Sequence, residues 1–216
     1  MKIVEIFDSI EGEGKRAGEL ATFIRTAGCN LRCSYCDTPY AQSICAPSKE
    51  MSIDEIIARV NYNNVTITGG EPLIQEDIKA LISQLCEKGF YVNIETNGSV
   101  ILEKFRKVRY KRSICNNPFF TMDYKCYSSG MNKEMKNENL ADLTPKDVIK
   151  FVVQDETDLA QAYELKKVRA IKYLSPVFGE IEPKRIVNFM KKFDMIDFKI
   201  QLQLHKYIWN PEMKGV

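Results

Sequence analysis

Gly28-Cys29-Asn30-Leu31-Arg32-Cys33-Ser34-Tyr35-Cys36-Asp37-Thr38 follows a strand-like run, Ala21-Thr22-Phe23-Ile24-Arg25, and places three cysteines within eight residues. The spacing Cys-x3-Cys-x2-Cys lets one short loop aim three thiolates at a single centre, which packing alone rarely requires. Structural zinc is usually closed by four ligands from two paired clusters, and no second Cys-x2-Cys occurs in the chain. A four-iron, four-sulfur cluster is commonly held by four cysteines, so three leave one iron open to a reactive ligand. The local pattern therefore favours a catalytic cluster over a structural metal. Of the other four cysteines, Cys86 falls on an apolar helix face and reads as core, while Cys45, Cys115 and Cys126 have no ligand spacing.

The flanking sequence alternates strands and helices. Ser52-x-x-Glu55 is a capping box opening a helix with Ile53, Ile56, Ile57 and Val60 on one face. Val65–Thr68 reads as a buried strand stopped by Gly69-Gly70, and a helix follows through Ile78, Leu81, Ile82, Leu85 and Cys86, capped by Gly89. Further strands are expected at 91–95, 119–123, 148–153 and 171–174, with helices from Leu159 to Val168 and from Pro183 to Phe193. Phe198, Ile200, Leu202 and Leu204 alternate with polar residues, which predicts a half-buried strand with Gln201, Gln203 and His205 on the opposite face. Such alternation indicates parallel βαβ units. The unusual residues all follow strands, and the C-terminal strand ends of a parallel barrel share one rim, where active sites are built. At 216 residues the chain is shorter than the roughly 250 of a closed eightfold barrel. An α/β fold is therefore expected: an incomplete TIM-type barrel of about six core strands, in a single domain covering 1–216.

Composition narrows the class of activity. The chain is 44% hydrophobic and 28% charged with a formal net charge of +2, so neither disorder nor a nucleic-acid partner is suggested. No apolar run approaches the roughly 18 residues of a membrane span, and the acidic N-terminus is unlike a signal peptide. Seven cysteines, an odd number, argue against a disulfide framework. A cytoplasmic location is expected.

Two motifs together carry a resemblance. The Cys loop resembles the cluster loop of radical S-adenosylmethionine (SAM) enzymes, and Thr68-Gly69-Gly70-Glu71-Pro72 resembles their glycine-rich SAM motif. Ile10-Glu11-Gly12-Glu13-Gly14, Arg25, Asp37-Thr38, Lys125 with Ser128-Ser129-Gly130, Ser175-Pro176 and Gln203-Leu204-His205-Lys206 resemble the 7-carboxy-7-deazaguanine synthase family, over about residues 5 to 211. Glu11 stands where that family more often has Gln.

The resemblance implies a lyase-type reaction of 7-deazapurine (queuosine-type) biosynthesis. 6-Carboxy-5,6,7,8-tetrahydropterin loses ammonia and contracts to 7-carboxy-7-deazaguanine, through a 5′-deoxyadenosyl radical made by one-electron cleavage of SAM. It implies that Cys29, Cys33 and Cys36 hold a 4Fe-4S cluster whose fourth iron SAM chelates. SAM contacts are implied for Tyr35, Asp37, Gly69, Gly70, Glu71, Asn97, Lys125, Ser128, Ser175 and Pro176. Gly69 and Gly70 would let backbone approach the ligand, Glu71 would accept from the SAM ammonium, and Tyr35 would either meet the adenine or cover the cluster. Substrate contacts are implied for Ile10, Glu11, Gly12, Glu13, Arg25, Thr68, Gln203, His205 and Pro211, with the strand and tail 198–216 closing the site. Glu13 is the candidate for the amidine-like pterin edge and Arg25 for the substrate carboxylate, an internal salt bridge being the alternative for Arg25. Mg²⁺ is implied beside Thr38, whose simpler role is to cap a turn. A homodimer is implied as well. No side chain is assigned as catalytic, because cluster and SAM carry the radical chemistry.

Two other readings stay open on residues alone: a radical SAM activase acting on a partner polypeptide, which needs no pterin clamp, and a zinc-binding module without catalysis. The basic run Lys104 to Arg112 is either a solvated face or a dock for an acidic electron donor such as flavodoxin.

Overall fold

Strand-forming runs separated by short amphipathic helices assemble into one sheet. The computed structural model describes residues 1–110 and 118–216, except for the side chains of residues 109 and 110. Its strands are β1 (Lys2–Ile10), β2 (Leu20–Thr26), β3 (Lys49–Glu50), β4 (Asn64–Gly69), β5 (Tyr91–Thr96), β6 (Phe119–Tyr124), β7 (Val148–Val153), β8 (Ile171–Pro176) and β9 (Phe198–Ile200). They lie in the order β3-β1-β2-β4-β5-β6-β7-β8-β9. All neighbours from β2 to β9 pair in parallel, whereas β1 is antiparallel to both β2 and β3. The incomplete barrel is thus present with seven parallel strands rather than about six, and an antiparallel pair extends one edge. The composition of β1, KIVEIFDSI, explains why it is easily overlooked: acids interrupt its alternation, and only Ile3 and Ser9 are buried.

The helices are α1 (Ile53–Ile57), α2 (Ile78–Glu87), α3 (Arg106–Tyr110), α4 (Glu138–Asp142), α5 (Glu156–Glu164), α6 (Pro183–Lys192) and α7 (His205–Ile208). The Ser52–Glu55 capping box, Gly89 at φ +91° after α2, and Pro183 in the first turn of α6 form as the sequence predicts. Helix α5 starts earlier than expected because Asp155 accepts from the Thr157 and Asp158 amides, and it ends at Glu164 rather than Val168. One face of the sheet presents Val65, Ile67, Val92, Ile94, Phe120 and Phe151 to a core shared with Leu81, Leu85, Leu159 and Ile186 of the helices. Each such side chain contributes about 1.5–3 kcal/mol on burial. The other face is polar, with Thr66, Asn93, Thr121, Lys150 and Ser175 buried in the barrel lumen.

The strand expected at 198–204 is shorter than its pattern. The ladder stops at Ile200, and Leu204 N–H donates to Gly12 O at 3.0 Å as the chain turns into α7. The alternation survives without the ladder: Gln201 and Gln203 are buried while Leu202 is exposed. His205 therefore starts a helix instead of continuing a strand.

Residues 11–18 close the lumen at the N-terminal ends of the parallel strands. Arg16 donates to Tyr91 O (2.9 Å) and Asn64 Oδ1 (3.2 Å), and it pairs with buried Glu11 at 2.5 Å. Glu11 also accepts from Thr66 Oγ1. Lys15 donates to Lys146 O at 2.6 Å and lies over the Phe119 ring. Removing one partner of a buried ion pair costs about 3–5 kcal/mol. Arg16→Ala is accordingly expected to lower the urea midpoint by that equivalent, and Arg16→Met combined with Glu11→Leu to recover most of it. A single variant as stable as the native chain would refute the assignment of this pair as the anchor.

Candidate active site

The rim loops meet through main chain. Gly69 sits at φ +136°, and a Cβ there would collide with the Thr26 backbone. A Cβ on Gly70 would collide with the Gly28 carbonyl. Gly70 N–H donates to Thr26 O (3.2 Å) and Glu71 N–H to Gly28 O (2.9 Å). The close approach that requires these glycines is therefore to the Cys loop itself. Glu71 is fully buried, and its carboxylate accepts from Leu73 N (3.0 Å), Thr96 Oγ1 (2.9 Å) and Asn97 N (2.6 Å). Burial pushes its carboxyl up to about 7 against the pull of those donors. Here Glu71 ties the loop after β4 to the one after β5.

The cysteine loop is held on both sides. Cys29 N–H donates to Gln42 O at 2.8 Å, Ser34 N–H to Ser129 O at 3.0 Å, and Ser34 Oγ to Ser128 O at 2.6 Å. Ser128 N–H in turn donates to Asp158 Oδ1 at 3.1 Å. Tyr35 reaches across to donate to Val152 O at 3.3 Å. Cys29, Cys33 and Cys36 are free and partly exposed. Leu31 N–H (3.4 Å) and Asn97 Nδ2 (3.6 Å) donate to Cys29 Sγ, the kind of contact that tunes a sulfur ligand. Burial raises the Cys33 thiol to about 11, with Lys125 opposing the shift. Among the described residues, no three His, Cys, Asp or Glu side chains gather tightly enough to hold one metal ion. A cubane, which gives each thiolate its own iron, does not ask for that. The donor set fits a three-cysteine cluster: all-sulfur, partly exposed, with two N–H donors on one sulfur and a cation nearby.

Below the loop runs a continuous series of ion pairs. Lys125 Nζ lies 2.7 Å from Asp123 Oδ2, Lys150 Nζ 3.8 Å from the same oxygen, and Lys150 Nζ 2.8 Å from Glu13 Oε2. Glu13 Oε1 accepts from Ser175 Oγ (2.7 Å) and Gln201 Nε2 (3.1 Å). Burial alone would push the Glu13 carboxyl up, but the Lys150 ammonium and the Ser175 hydroxyl outweigh it and hold it down at about 2. Burial disfavours the Lys150 charge, yet Asp123, Glu13 and Glu95 raise its pKa well above the usual lysine range. Burial raises Glu95 to about 7 against Lys150 and a hydrogen bond from Thr68. Asp123 Oδ1 is buried with no hydrogen-bond partner among the described residues.

Other expected site residues take definite positions. Gly12 lies under the His205 ring, where a Cβ would strike the imidazole, and burial lowers the His205 pKa. Ile10 ends β1, and Thr68 and Pro176 sit at the ends of β4 and β8. Ser175 meets Glu13, and Glu11 meets Arg16 at the far end of the lumen. Arg25 Nε donates to Glu5 at 2.6 Å, the internal salt bridge left open by the sequence. Thr38 Oγ1 donates to Asp37 at 3.0 Å. Pro211 is exposed in the tail. Lys150, Glu95 and Asp123 are lumen residues that the motif reading did not assign. Lys150 had a signal, a lone cation inside the apolar strand VIKFVV. Cys86 and Cys126 are buried and Cys45 is exposed, while Cys115, Lys111 and Arg112 lie outside the described residues.

A family model described as the Radical SAM superfamily matches residues 23–124. A 7-carboxy-7-deazaguanine synthase of Clostridium acetobutylicum is 46% identical over 225 residues, covering 100% of this chain and 99% of that protein. The synthase of the same name from Methanospirillum hungatei is 41% identical over 219 residues, covering 98% and 86%. Among solved structures, QueE from Escherichia coli matches with a TM-score of 0.69 at 23% identity, covering 94% of this chain and 93% of that one, a likeness of fold.

The Glu95 and Glu13 shifts separate by pH. Glu95 is raised, so its contribution to stability is full below its unfolded value of 4.5 and is lost as pH rises through about 7. Glu13 is lowered, so its contribution is full above 4.5 and is lost as pH falls toward about 2. Glu95→Gln is expected to reduce the slope of the stability curve between pH 4.5 and 7, where Glu71 also contributes, as measured by urea unfolding across that range. An unchanged slope there would contradict a raised Glu95.

Proposed function

The chain belongs to the 7-carboxy-7-deazaguanine synthase family of radical SAM enzymes, and from that membership we propose that it converts 6-carboxy-5,6,7,8-tetrahydropterin to 7-carboxy-7-deazaguanine with loss of ammonia. One observation supports this most: the ion-pair series Lys125–Asp123–Lys150–Glu13, which links the surroundings of Cys33 to a recess where Glu13 is held ionised. An activase has no need of such a recess.

When bound, the cluster and SAM supply the one-electron cleavage that yields a hydrogen-abstracting radical. The chain's own residues hold, orient and shield. Cys29, Cys33 and Cys36 are the cluster thiolates. Asn97, Lys125, Ser128, Tyr35, Asp37, Pro176 and the backbone at Gly69-Gly70 form the SAM wall, with Asp123 Oδ1 as an added acceptor. Glu71 serves that wall as a positioning residue through Asn97. Glu13 accepts from the amidine edge of the substrate. The Ile10–Gly12 backbone, Thr68, Gln203, His205 and the tail at Pro211 complete the substrate enclosure, and Glu11 supports it from below. Arg25, paired here with Glu5, would exchange that partner for the substrate carboxylate, and Thr38 would supply a side-chain oxygen to Mg²⁺. Mg²⁺ keeps most of its waters, so one protein oxygen suffices. A single 1–216 domain acting as a cytoplasmic homodimer, with an acidic donor such as flavodoxin as reductant, completes the proposal. No described helix is long and apolar enough to cross a membrane.

The decisive test is an anaerobic incubation with SAM, the carboxytetrahydropterin and dithionite, read by product mass. Absence of the deazaguanine product from iron-loaded protein overturns the reading. Cys33→Ala is expected to lose the broad absorbance near roughly 400 nm and all SAM cleavage. Glu13→Gln is expected to keep both while kcat/KM falls about 10- to 100-fold, the worth of a hydrogen bond to a charged group. Thr38→Ala is expected to change the Mg²⁺ dependence of turnover, and an identical titration would remove Thr38 as a ligand.

A further inference from the structure

The segment after β9 runs back beside β1. Leu204 N–H meets Gly12 O, and the His205 ring covers Gly12. Further on, Lys214 Nζ lies 4.3 Å from the centre of the Tyr40 ring, and a Cβ on Gly215 would stand 3.6 Å from Glu5 Oε2 and 4.0 Å from Phe7. Because β1 is antiparallel to β2, these contacts lead from the floor of the lumen up to the rim. This side wall is loosely fastened. Among the described residues, the main-chain hydrogen bonds of residues 205–216 stay within 203–216, and residues 210–214 are exposed. Segments that share so few hydrogen bonds with their surroundings open at low cost in free energy.

The rim end of the wall falls on the cluster that holds Arg25. Glu5 Oε1 accepts from Arg25 Nε at 2.6 Å and from Tyr40 Oη at 2.9 Å. The Arg25 guanidinium carbon lies 5.5 Å from the Phe7 ring centre and 5.8 Å from that of Tyr40. Among the described residues, Glu5 Oε2 has no hydrogen-bond partner and Lys214 has no ion pair. An uncommitted acceptor thus lies against Gly215, and an uncommitted cation is carried by the residue before it. The Glu5 side chain is only 23% exposed, so without Arg25 its carboxylate is short of both water and countercharge.

We propose that Glu5 is a positioning residue that passes from Arg25 to Lys214 when a ligand carboxylate takes the guanidinium, drawing residues 209–216 against β1. The proposal rests on the reading above that brings the substrate carboxylate to Arg25. Tyr40 keeps its hydrogen bond to Glu5 throughout, and its ring holds Lys214 beside the carboxylate before the ligand arrives. Only ion-pair partners are exchanged; no covalent bond forms or breaks and no proton moves. The ligand's own charge then closes the side wall, and a ligand without a carboxylate leaves Glu5 on Arg25 and the wall loose. The ligand shifts the wall only by as much as it binds the closed form better than the open one.

The test uses anaerobically reconstituted holoenzyme with SAM and 6-carboxy-5,6,7,8-tetrahydropterin, without reductant so that nothing turns over. In the native protein, amide hydrogen exchange of residues 209–216 is expected to slow at least about threefold at saturating pterin. In Lys214→Gln it should stay at its ligand-free rate, and Lys214→Arg should restore the slowing. By calorimetry, Lys214→Gln is expected to raise the pterin Kd about two- to fivefold, as for an exposed ion pair. In a Glu5→Gln background the same change should move Kd by less than about 1.5-fold, because the acceptor is gone. If Glu5→Gln fails to load iron, the exchange rates of the two Lys214 variants carry the test. Native-like slowing in Lys214→Gln, or an equal loss of affinity with and without Glu5, would overturn the proposal. Native holoenzyme that binds no carboxytetrahydropterin would strike the reading beneath it, whereas binding without slowed exchange strikes this proposal alone.

Discussion

Two bare stretches of main chain pressed together set the geometry of the rim. Gly70 lies against the Gly28 carbonyl and Gly69 against the Thr26 backbone, with no room for a side chain at either contact. The two hydrogen bonds across this seam place the cysteine loop relative to Glu71. Glu71 then fixes the Asn97 backbone, and the Asn97 side chain reaches a cysteine sulfur. A methyl group at Gly70 would displace every later contact in that sequence. Close-packed interiors transmit such a shift rather than absorb it.

The lumen is costly to fold because it buries charge. Glu13, Glu95 and Asp123 face Lys150 and Lys125, and Lys150 is the pivot through which three acids are balanced. An apolar filling of equal volume would be as stable or more so. A charged lining instead gives a recess whose dipoles and charges are oriented before any ligand arrives, and preorganised electrostatics of this kind do not reorganise during reaction. Burial raises the Glu95 carboxyl to about 7, which lets it change its protonation close to neutrality.

Much of this was legible in the residues. The cysteine spacing marked the site, the Ser52–Glu55 box and Pro183 marked helix starts, and strand ends marked the rim. What escaped had physical reasons. Strand β1 carries acids on a half-covered edge, so its alternation is blurred. The Gly69-Gly70 pair announced a close approach but not its partner, since only the tertiary fold brings Gly28 there. Gln201 and Gln203 keep a strand's alternation after the ladder has ended, so pattern and hydrogen bonding part company at Ile200. Lys150, Glu95 and Asp123 come from neighbouring strands, and their convergence follows from register, which local sequence does not state.

The turn at residues 11–18 spans the ends of β4 to β7 and stoppers the barrel there. A floor fixes how deep a ligand can go. On the proposed placement the pterin rests deepest, against Glu13, and SAM lies above it beside the cysteines. On that placement the depth to which a ligand can enter is set by the buried ion pair between Glu11 and Arg16 rather than by any moving part.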